Sequence, residues 1–466
     1  MAQLSPTDQA FFLLETRQRP MSIGALMVLA PPPGAGGRFA EQLIEGMLQR
    51  PVGPPFNYRL KPGPFKGLLA VEEDPHMNPA TQVHQHALRP GSDLQALFKR
   101  ICGIHVHLLP HDAPIWELHV FTGLPRGRVA LYFKTHHGLI DGIGFLRILM
   151  SMVSNRPRRG ARAIWEGMLG LQVPDGPARQ EGAGLLRLAI EAQRTAMDTA
   201  RLVWRQGLRG LGLGGGLAIP FVTPQVLKAA PSPHRVMAHC ALPLARVRRI
   251  AKRSGAKVND VLLTVLDVAM NRYLEERGLV PERPLVADMP VALHDHGGTG
   301  NRITILQVPM GAPRTRPAER LHRILHETQA VKEEVRALSG GSLVLYSIVQ
   351  HALASTIESL GLGELPMLAN AVISNPAGFQ RRVYFNGAAV ELALPVSVVA
   401  HHQVLNITIT TYIDGLHVTF IALREAIPDL QRLADYTTRA VATLEADLAK
   451  RRPRRAGAAS KKGQGK

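Results

Sequence analysis

The 466 residues predict two α/β domains, each a sheet layered with helices, joined by an irregular segment. Length is the first reason: a single hydrophobic core stops growing at roughly 250–300 residues, so a chain this long divides. Composition is the second, because 45% hydrophobic and 20% charged residues supply cores of normal size and exclude a disordered chain. The third is alternation, since β-forming runs take turns with stretches of helical period on both sides of a break at residues 151–225. The expected layout is 1–150, 151–225 as linker, 226–449, and a basic tail over 450–466.

In chain order, LSPTDQAFFLLETR opens with Ser5, Pro6 and Asp8, a combination that starts helices. SIGALMVLA (22–30) and RVALYFKTHH (128–137) read as strands, DLQALFKRICGIHVHLL (93–109) has helical period, and FLRILM (145–150) begins another helix. The break then holds a basic loop, NRPRRGARA, and a Pro/Gly-rich stretch, QVPDGPARQEGAG. Residues 185–209 follow with helical period, placing Arg187, Arg194, Arg201, Arg205 and Arg209 within roughly an 80° arc opposite an Ala/Leu face. That pattern is an ordinary surface helix or, in the minority reading, one lying on a membrane. GLGLGGG lacks the Lys-Ser/Thr of a phosphate loop and reads as linker. Beyond it, VNDVLLTVLDVAMNRYLEERG is a strong helix. ERPLVADMPVAL, RITILQVPM, MLANAVISN, VLNITITTYI and LHVTFIAL are strands, and Pro428 to Asp447 closes the chain as a helix.

The net charge is +19, and the body keeps +11 without the eight Lys and Arg of AKRRPRRAGAASKKGQGK. Such an excess predicts an anionic partner: nucleic acid, anionic lipid or a phosphorylated substrate. Nucleic acid fits least, because aromatics are only 5% and no zinc finger or RNA-binding signature is present. Cys102 and Cys240 form no ligand-spaced pair, which excludes a zinc ribbon or disulfide framework. The N-terminus carries Asp8 and Glu15 and lacks the order of a secretory signal, and no apolar run reaches the ~18–20 residues of a membrane span. The expected location is cytoplasmic.

The chemistry concentrates in KTHHGLIDGIGFLRIL (134–149). His136 and His137 end a strand, where neighbours point to opposite faces, so one aims into a cleft while the other packs. Residue types alone leave three readings: general acid–base catalysis, structural histidines, and a metal site. For the metal, the remote histidines are His105, His107, His111 and the pair His401–His402, and nothing in the spacing unites them. Asp141 either orients a histidine or braces the turn through an arginine.

HHGLIDG resembles the HHxxxDG motif of CoA-dependent acyltransferases with the chloramphenicol acetyltransferase-like fold. Further stretches narrow the likeness to the bacterial wax ester synthase/diacylglycerol acyltransferase family: LSPTDQAFFLLETRQRPMSIGALMVL, APIWELHVFTGLPRGRVALYFKTHHGLIDG, KVNDVLL, GNRIT, ISNPAG and LHVTFIAL, in that order. The resemblance implies two domains of that fold with the active-site tunnel between them. It implies His137 as general base toward the acceptor alcohol, His136 as its support, and Asp141 as a structural group bridging to an arginine, with Arg302 the candidate. It implies that Gly142 permits the turn and that Asn259, Ser374 and Asn375 contribute to stabilising the oxyanion, although Asn259 and Asp260 equally suit helix capping.

Two departures stand out. The family's Pro-Leu-Trp is Pro114-Ile115-Trp116 here, read as a reshaped acyl pocket, and SNVPGP is Ser374-Asn375-Pro376-Ala377-Gly378-Phe379. The resemblance implies no metal or redox cofactor, with acyl-CoA as substrate and diacylglycerol or a long-chain alcohol as acceptor. The charge then suits CoA phosphates and peripheral contact with an anionic membrane or lipid inclusion. Two rivals remain: a condensation-type acyltransferase using carrier-bound acyl groups, and a non-catalytic lipid-droplet coat protein.

Overall fold

The computed structural model describes residues 2–4, 6–62, 69–171, 226–292, 303–336, 354–361 and 369–450, with a few isolated positions between them. Arg302, the helix predicted over 185–209, the Gly run and the tail beyond Lys450 lie outside the described residues.

Three sheets organise the chain. A small antiparallel one joins β1 (Ala2–Gln3), β3 (Tyr58–Pro62) and β4 (Leu69–Glu73). The N-terminal sheet comprises β2 (Ser22–Ala30), β5 (Val83–Ala87), β6 (Trp116–Thr122) and β7 (Val129–His136). The C-terminal sheet comprises β8 (Arg235–Pro243), β9 (Val286–Ala292), β10 (Ile303–Pro309), β11 (Ala371–Ser374), β14 (Leu405–Tyr412) and β15 (Gly415–Leu423), in the order β10-β9-β11-β14-β15-β8. The remaining strands, β12 (Tyr384–Phe385) and β13 (Ala388–Val396), complete the N-terminal sheet in the order β12-β13-β2-β7-β6-β5. A division at residues 150 and 225 is therefore too simple. Strand β13 pairs antiparallel with β2 from Ala389 opposite Ala30 to Val396 opposite Gly24 before the chain returns to β14.

Strand β2 shows why its sequence is almost unbroken apolar. Ile23, Ala25 and Met27 belong to one core with Phe133, Phe145 and Trp165, while Leu26 and Val28 belong to another with Leu97, Phe98 and Ile407. A strand buried on both faces loses the polar alternation of a half-exposed one. Helix α1 (Pro6–Leu14) leads into β2, and α2 (Phe39–Leu48) covers one face of the sheet. Helix α3 (Leu94–His105), capped by Asp93 Oδ1 accepting from the Ala96 N–H at 2.9 Å, lies between the sheets and packs on β8. Helix α4 (Gly142–Met152) follows the histidine pair. The C-terminal sheet is backed by α5 (Leu244–Ser254), α6 (Val258–Glu275), α7 (Pro317–Arg336) and α8 (Leu430–Lys450).

The start of the predicted linker is core. Trp165 is fully buried and stacks on Trp116, with ring centroids 5.6 Å apart, and Ser154 bridges to Tyr384.

Candidate active site

Strand alternation sends the two histidines apart, as their positions dictate. His137 lines a cavity of about 350 Å³ between the two large sheets, whereas His136 is fully buried on the other side. The cavity has Ile23 to Met27 of β2, the face of α4 carrying Phe145 and Leu149, and the end of β13 on one side. Pro290, Ser374 and Thr408 of the C-terminal sheet stand on the other.

The His137 N–H donates to the Met21 carbonyl at 2.8 Å, and Phe11 stacks on the imidazole at 4.0 Å between centroids. Burial pushes the ring down to about pKa 4, partly offset by its own backbone carbonyl and reinforced by His136. A desolvated imidazole is neutral near pH 7 and carries the free lone pair that a general base needs.

His136 stacks on Phe12 at 3.9 Å, and its Nδ1 accepts from the Gly138 N–H at 3.0 Å. That bond leaves the ring proton on Nε2, which faces Glu15 Oε1 at 3.4 Å. Glu15 also accepts from the Met21 N–H at 2.8 Å. Burial would raise its carboxyl, but His111, His136 and the Met21 amide outweigh it and hold the value down at about 2. Lys134, two residues before His136 on the same face, is fully buried, with Nζ donating to the carbonyls of His107 at 2.6 Å and Ile104 at 3.2 Å.

Glu15, His111 and His136 bring ligand-type atoms within 4.8 Å of one another, a union the spacing did not reveal. Their chemistry suits hydrogen bonding better than a metal. A cation on His136 Nε2 would displace the proton there, and neutral imidazole would then need it on Nδ1, against the Gly138 N–H.

Asp141 caps α4, its Oδ1 accepting from the Gly144 N–H at 2.6 Å, and burial raises its carboxyl. This is the helix-start bond that Ser, Thr, Asn and Asp provide. The expected arginine bridge is not among the described contacts of Asp141. Of the three glycines here, Gly138 and Gly144 are the two that the turn demands. A Cβ at Gly138 would come within 2.6 Å of the Asp8 carbonyl and of Phe12, and one at Gly144 within 2.8 Å of Asp141 Oδ1. Around Gly142 there is open space, and that residue lines the cavity.

The remaining predicted residues divide. Ser374 and Asn375 line the cavity, with Ser374 Oγ donating to Thr408 Oγ1 at 3.1 Å. Asn375 Nδ2 donates to Asn259 Oδ1 at 2.6 Å, which ties the cavity wall to the start of α6. Asp260 is buried and structural: Oδ2 accepts from the Lys257 N–H at 2.9 Å and Oδ1 from Thr328 Oγ1 at 2.9 Å. Pro114, Ile115 and Trp116, expected at an acyl pocket, are not among the residues lining this cavity. Trp116 is fully buried in the N-terminal core with Nε1 donating to the Phe56 carbonyl at 2.8 Å. The Ile115 carbonyl accepts from the His136 N–H at 3.2 Å and so holds the end of β7. Glu15, Phe11, Phe12 and Lys134 were missed. Only the acid at position 15 and the apolar pair on a predicted helix could have signalled them.

Two sheets with a histidine-bearing cavity between them define the chloramphenicol acetyltransferase-like acyltransferases. Residues 4–262 match the wax ester synthase/diacylglycerol acyltransferase catalytic domain and residues 299–445 the C-terminal domain of the same proteins. The chain belongs to that family and is an acyltransferase. It is 31% identical to a probable diacylglycerol O-acyltransferase of Mycobacterium tuberculosis over 96% of this chain and 97% of that one. It is 28% identical to an O-acyltransferase of Acinetobacter baylyi over 97% and 98%. The solved wax ester synthase/diacylglycerol acyltransferase of Marinobacter aquaeolei superposes with a TM-score of 0.74 at 29% identity, covering 96% of this chain and all of that one. A condensation domain of the CDA synthetase shares the fold at 18% identity and a TM-score of 0.59.

Proposed function

We propose that the chain transfers a long-chain acyl group from acyl-CoA to the hydroxyl of diacylglycerol or a long-chain alcohol, with His137 as the general base. One observation carries the reading: a desolvated, neutral imidazole on the wall of a mostly hydrocarbon cavity between the sheets. The imidazole takes the hydroxyl proton as the oxygen bonds to the thioester carbon. The tetrahedral oxyanion collapses, the C–S bond breaks, and the CoA thiolate takes the proton from the imidazolium, so the base returns unchanged. Asn375 Nδ2 keeps a second hydrogen for the oxyanion while Asn259 orients it, and Ser374 contributes by turning its hydroxyl from Thr408 toward the cavity. His136 and Glu15 act behind the reacting groups by fixing the strand end.

Peripheral contact with an anionic membrane or lipid inclusion belongs to the same proposal. It is supported by the +19 charge and by Ile143 and Met150, 46% and 38% exposed on α4. Among the described residues, no helix is long and apolar enough to cross a membrane.

The test supplies purified protein with palmitoyl-CoA and, separately, hexadecanol or dioleoylglycerol, and follows thiol release. A parallel assay offers palmitoyl carrier protein, and sedimentation compares neutral with anionic vesicles. Acceptor-dependent release from free palmitoyl-CoA and binding to anionic vesicles are expected. Turnover only with carrier protein, or none with any donor, would replace the reading by one of its rivals.

A further inference from the structure

The cavity beside His137 abuts a second, smaller void in the N-terminal core. Ala25 and Met27 of β2 and Leu149 of α4 line it, and the same three residues line a second void of about 10 Å³ deeper in the sheet's apolar side. Helix α4 connects the two. Phe145 and Leu149 face the main cavity, and Met152, one turn further along the same face, lines the second void with Met47 of α2. The path begins at the turn after His137 and, at 1.5 Å per residue, follows roughly 15 Å of helix.

The chemistry along this path is hydrocarbon and thioether only. Met27, Met47 and Met152 are all buried, and each has three rotatable side-chain bonds and an adaptable shape. A void this small holds no chain segment with the methionines at rest, and only a rotation of Met27 and Met152, which stand at its border with the main cavity or line its far side, would open it to one. No polar group is stranded by that opening, since the shared residues carry no N–H or O–H on their side chains.

We infer that the alkyl chain of a substrate runs beneath α4, passes Met27 and Leu149, and ends against Met152 and Met47, which set the longest chain accepted. This rests on reading His137 as the acyl-transfer centre. Both substrates carry alkyl chains, so two assay series separate them. One varies the donor from octanoyl- to stearoyl-CoA against hexadecanol, and the other varies the alcohol from octanol to octadecanol against palmitoyl-CoA.

Met152→Phe shortens the path and Met152→Ala lengthens it, and melting curves first confirm that each variant folds. Each methylene denied burial loses roughly four-fold. Met152→Phe is therefore expected to lower the long-to-short rate ratio at least about ten-fold in one series, with Met152→Ala moving the optimum of that series to longer chains. The series that responds identifies the chain. Unchanged ratios in both series for both variants, with the wild type turning over, would overturn the inference while leaving the His137 reading intact. A wild type inactive with every pair would remove that reading, and the inference with it.

Discussion

Arg19 and Glu358 form a buried bidentate ion pair across 339 positions of sequence, Nε donating to Oε1 at 2.9 Å and Nη2 to Oε2 at 2.7 Å. Glu358 also accepts from the His402 N–H at 2.8 Å and meets His401 Nδ1 at 2.9 Å, while Arg19 Nη1 donates to the Gln403 carbonyl at 2.8 Å. Burial would raise the Glu358 carboxyl, but His401 and Arg19 hold it well below the usual carboxylate range. The pair thereby anchors the loop after α1, which carries Glu15, to the C-terminal half.

Arg19→Met leaves that carboxylate buried without its cation, and breaking a buried pair costs about 3–5 kcal/mol. Urea unfolding is expected to show a loss of this size, with part of it recovered when Glu358→Leu is added. Turnover should fall in the single variant because the loop no longer holds Glu15 against His136. A loss below 1 kcal/mol would mean that the clasp is dispensable.

The acid side of the pH profile follows from burial. His137, depressed to about 4, keeps its base form above that value, so kcat/KM should stay flat from neutrality to about pH 5 and fall near pH 4. Stability moves in the same direction. Burial lowers His86 and His239 to about 4 and His105 to about 3, all below the ordinary 6.5. Their neutral forms contribute stability fully present above pH 6.5 and lost as pH falls through about 4 for His86 and His239 and about 3 for His105. Glu15, at about 2 against an ordinary 4.5, contributes stability present above pH 4.5 and lost on the way down to 2. Melting temperatures at each assay pH separate the two effects. An activity inflection near 6.5 in still-folded protein would show a solvated His137.

At position 141 the cap, not the charge, is expected to matter. Asp141→Asn keeps an oxygen for the Gly144 N–H and should retain most activity and stability. Asp141→Ala should cost about 0.5–2 kcal/mol. Thermal melts and steady-state rates on both variants check this. Equal inactivity of the two in folded protein would assign the carboxylate an electrostatic role.

Trp116→Phe tests whether the Pro-Ile-Trp segment serves the core or the acyl pocket. The change strands the Phe56 carbonyl, which now accepts from the indole at 2.8 Å, and should cost about 1–3 kcal/mol in stability. The ratio of octanoyl to palmitoyl transfer should not move. A changed ratio at unchanged stability would place Trp116 on the substrate path.

Much of this was legible because the relevant signals are local. The predicted strand 22–30 is β2 residue for residue, and α4 covers the predicted 145–150 but begins three residues earlier, at Gly142, where Asp141 caps it. The opposite facing of His136 and His137 needed only the two-residue period of a strand. What could not be read was long-range pairing. AAVELALPV carries a strand pattern but nothing to say that it adds to β2, some 360 residues earlier in the chain. Glu15 and His111 are likewise an ordinary surface acid and imidazole until α1 folds against β7. The Pro-Ile-Trp segment could not be placed from sequence because an apolar motif near the histidine-bearing strand serves a pocket or a core equally well.

His137 is the centre of the proposed mechanism, and the most direct measurement is CoA release from palmitoyl-CoA by wild type and His137→Ala at matched acceptor concentration, with melting curves confirming that both are folded. With His137 as the base, the acceptor-dependent rate should fall about 10²-fold or more in the variant, the scale of a lost general base. A folded His137→Ala protein within ten-fold of the wild type would contradict it.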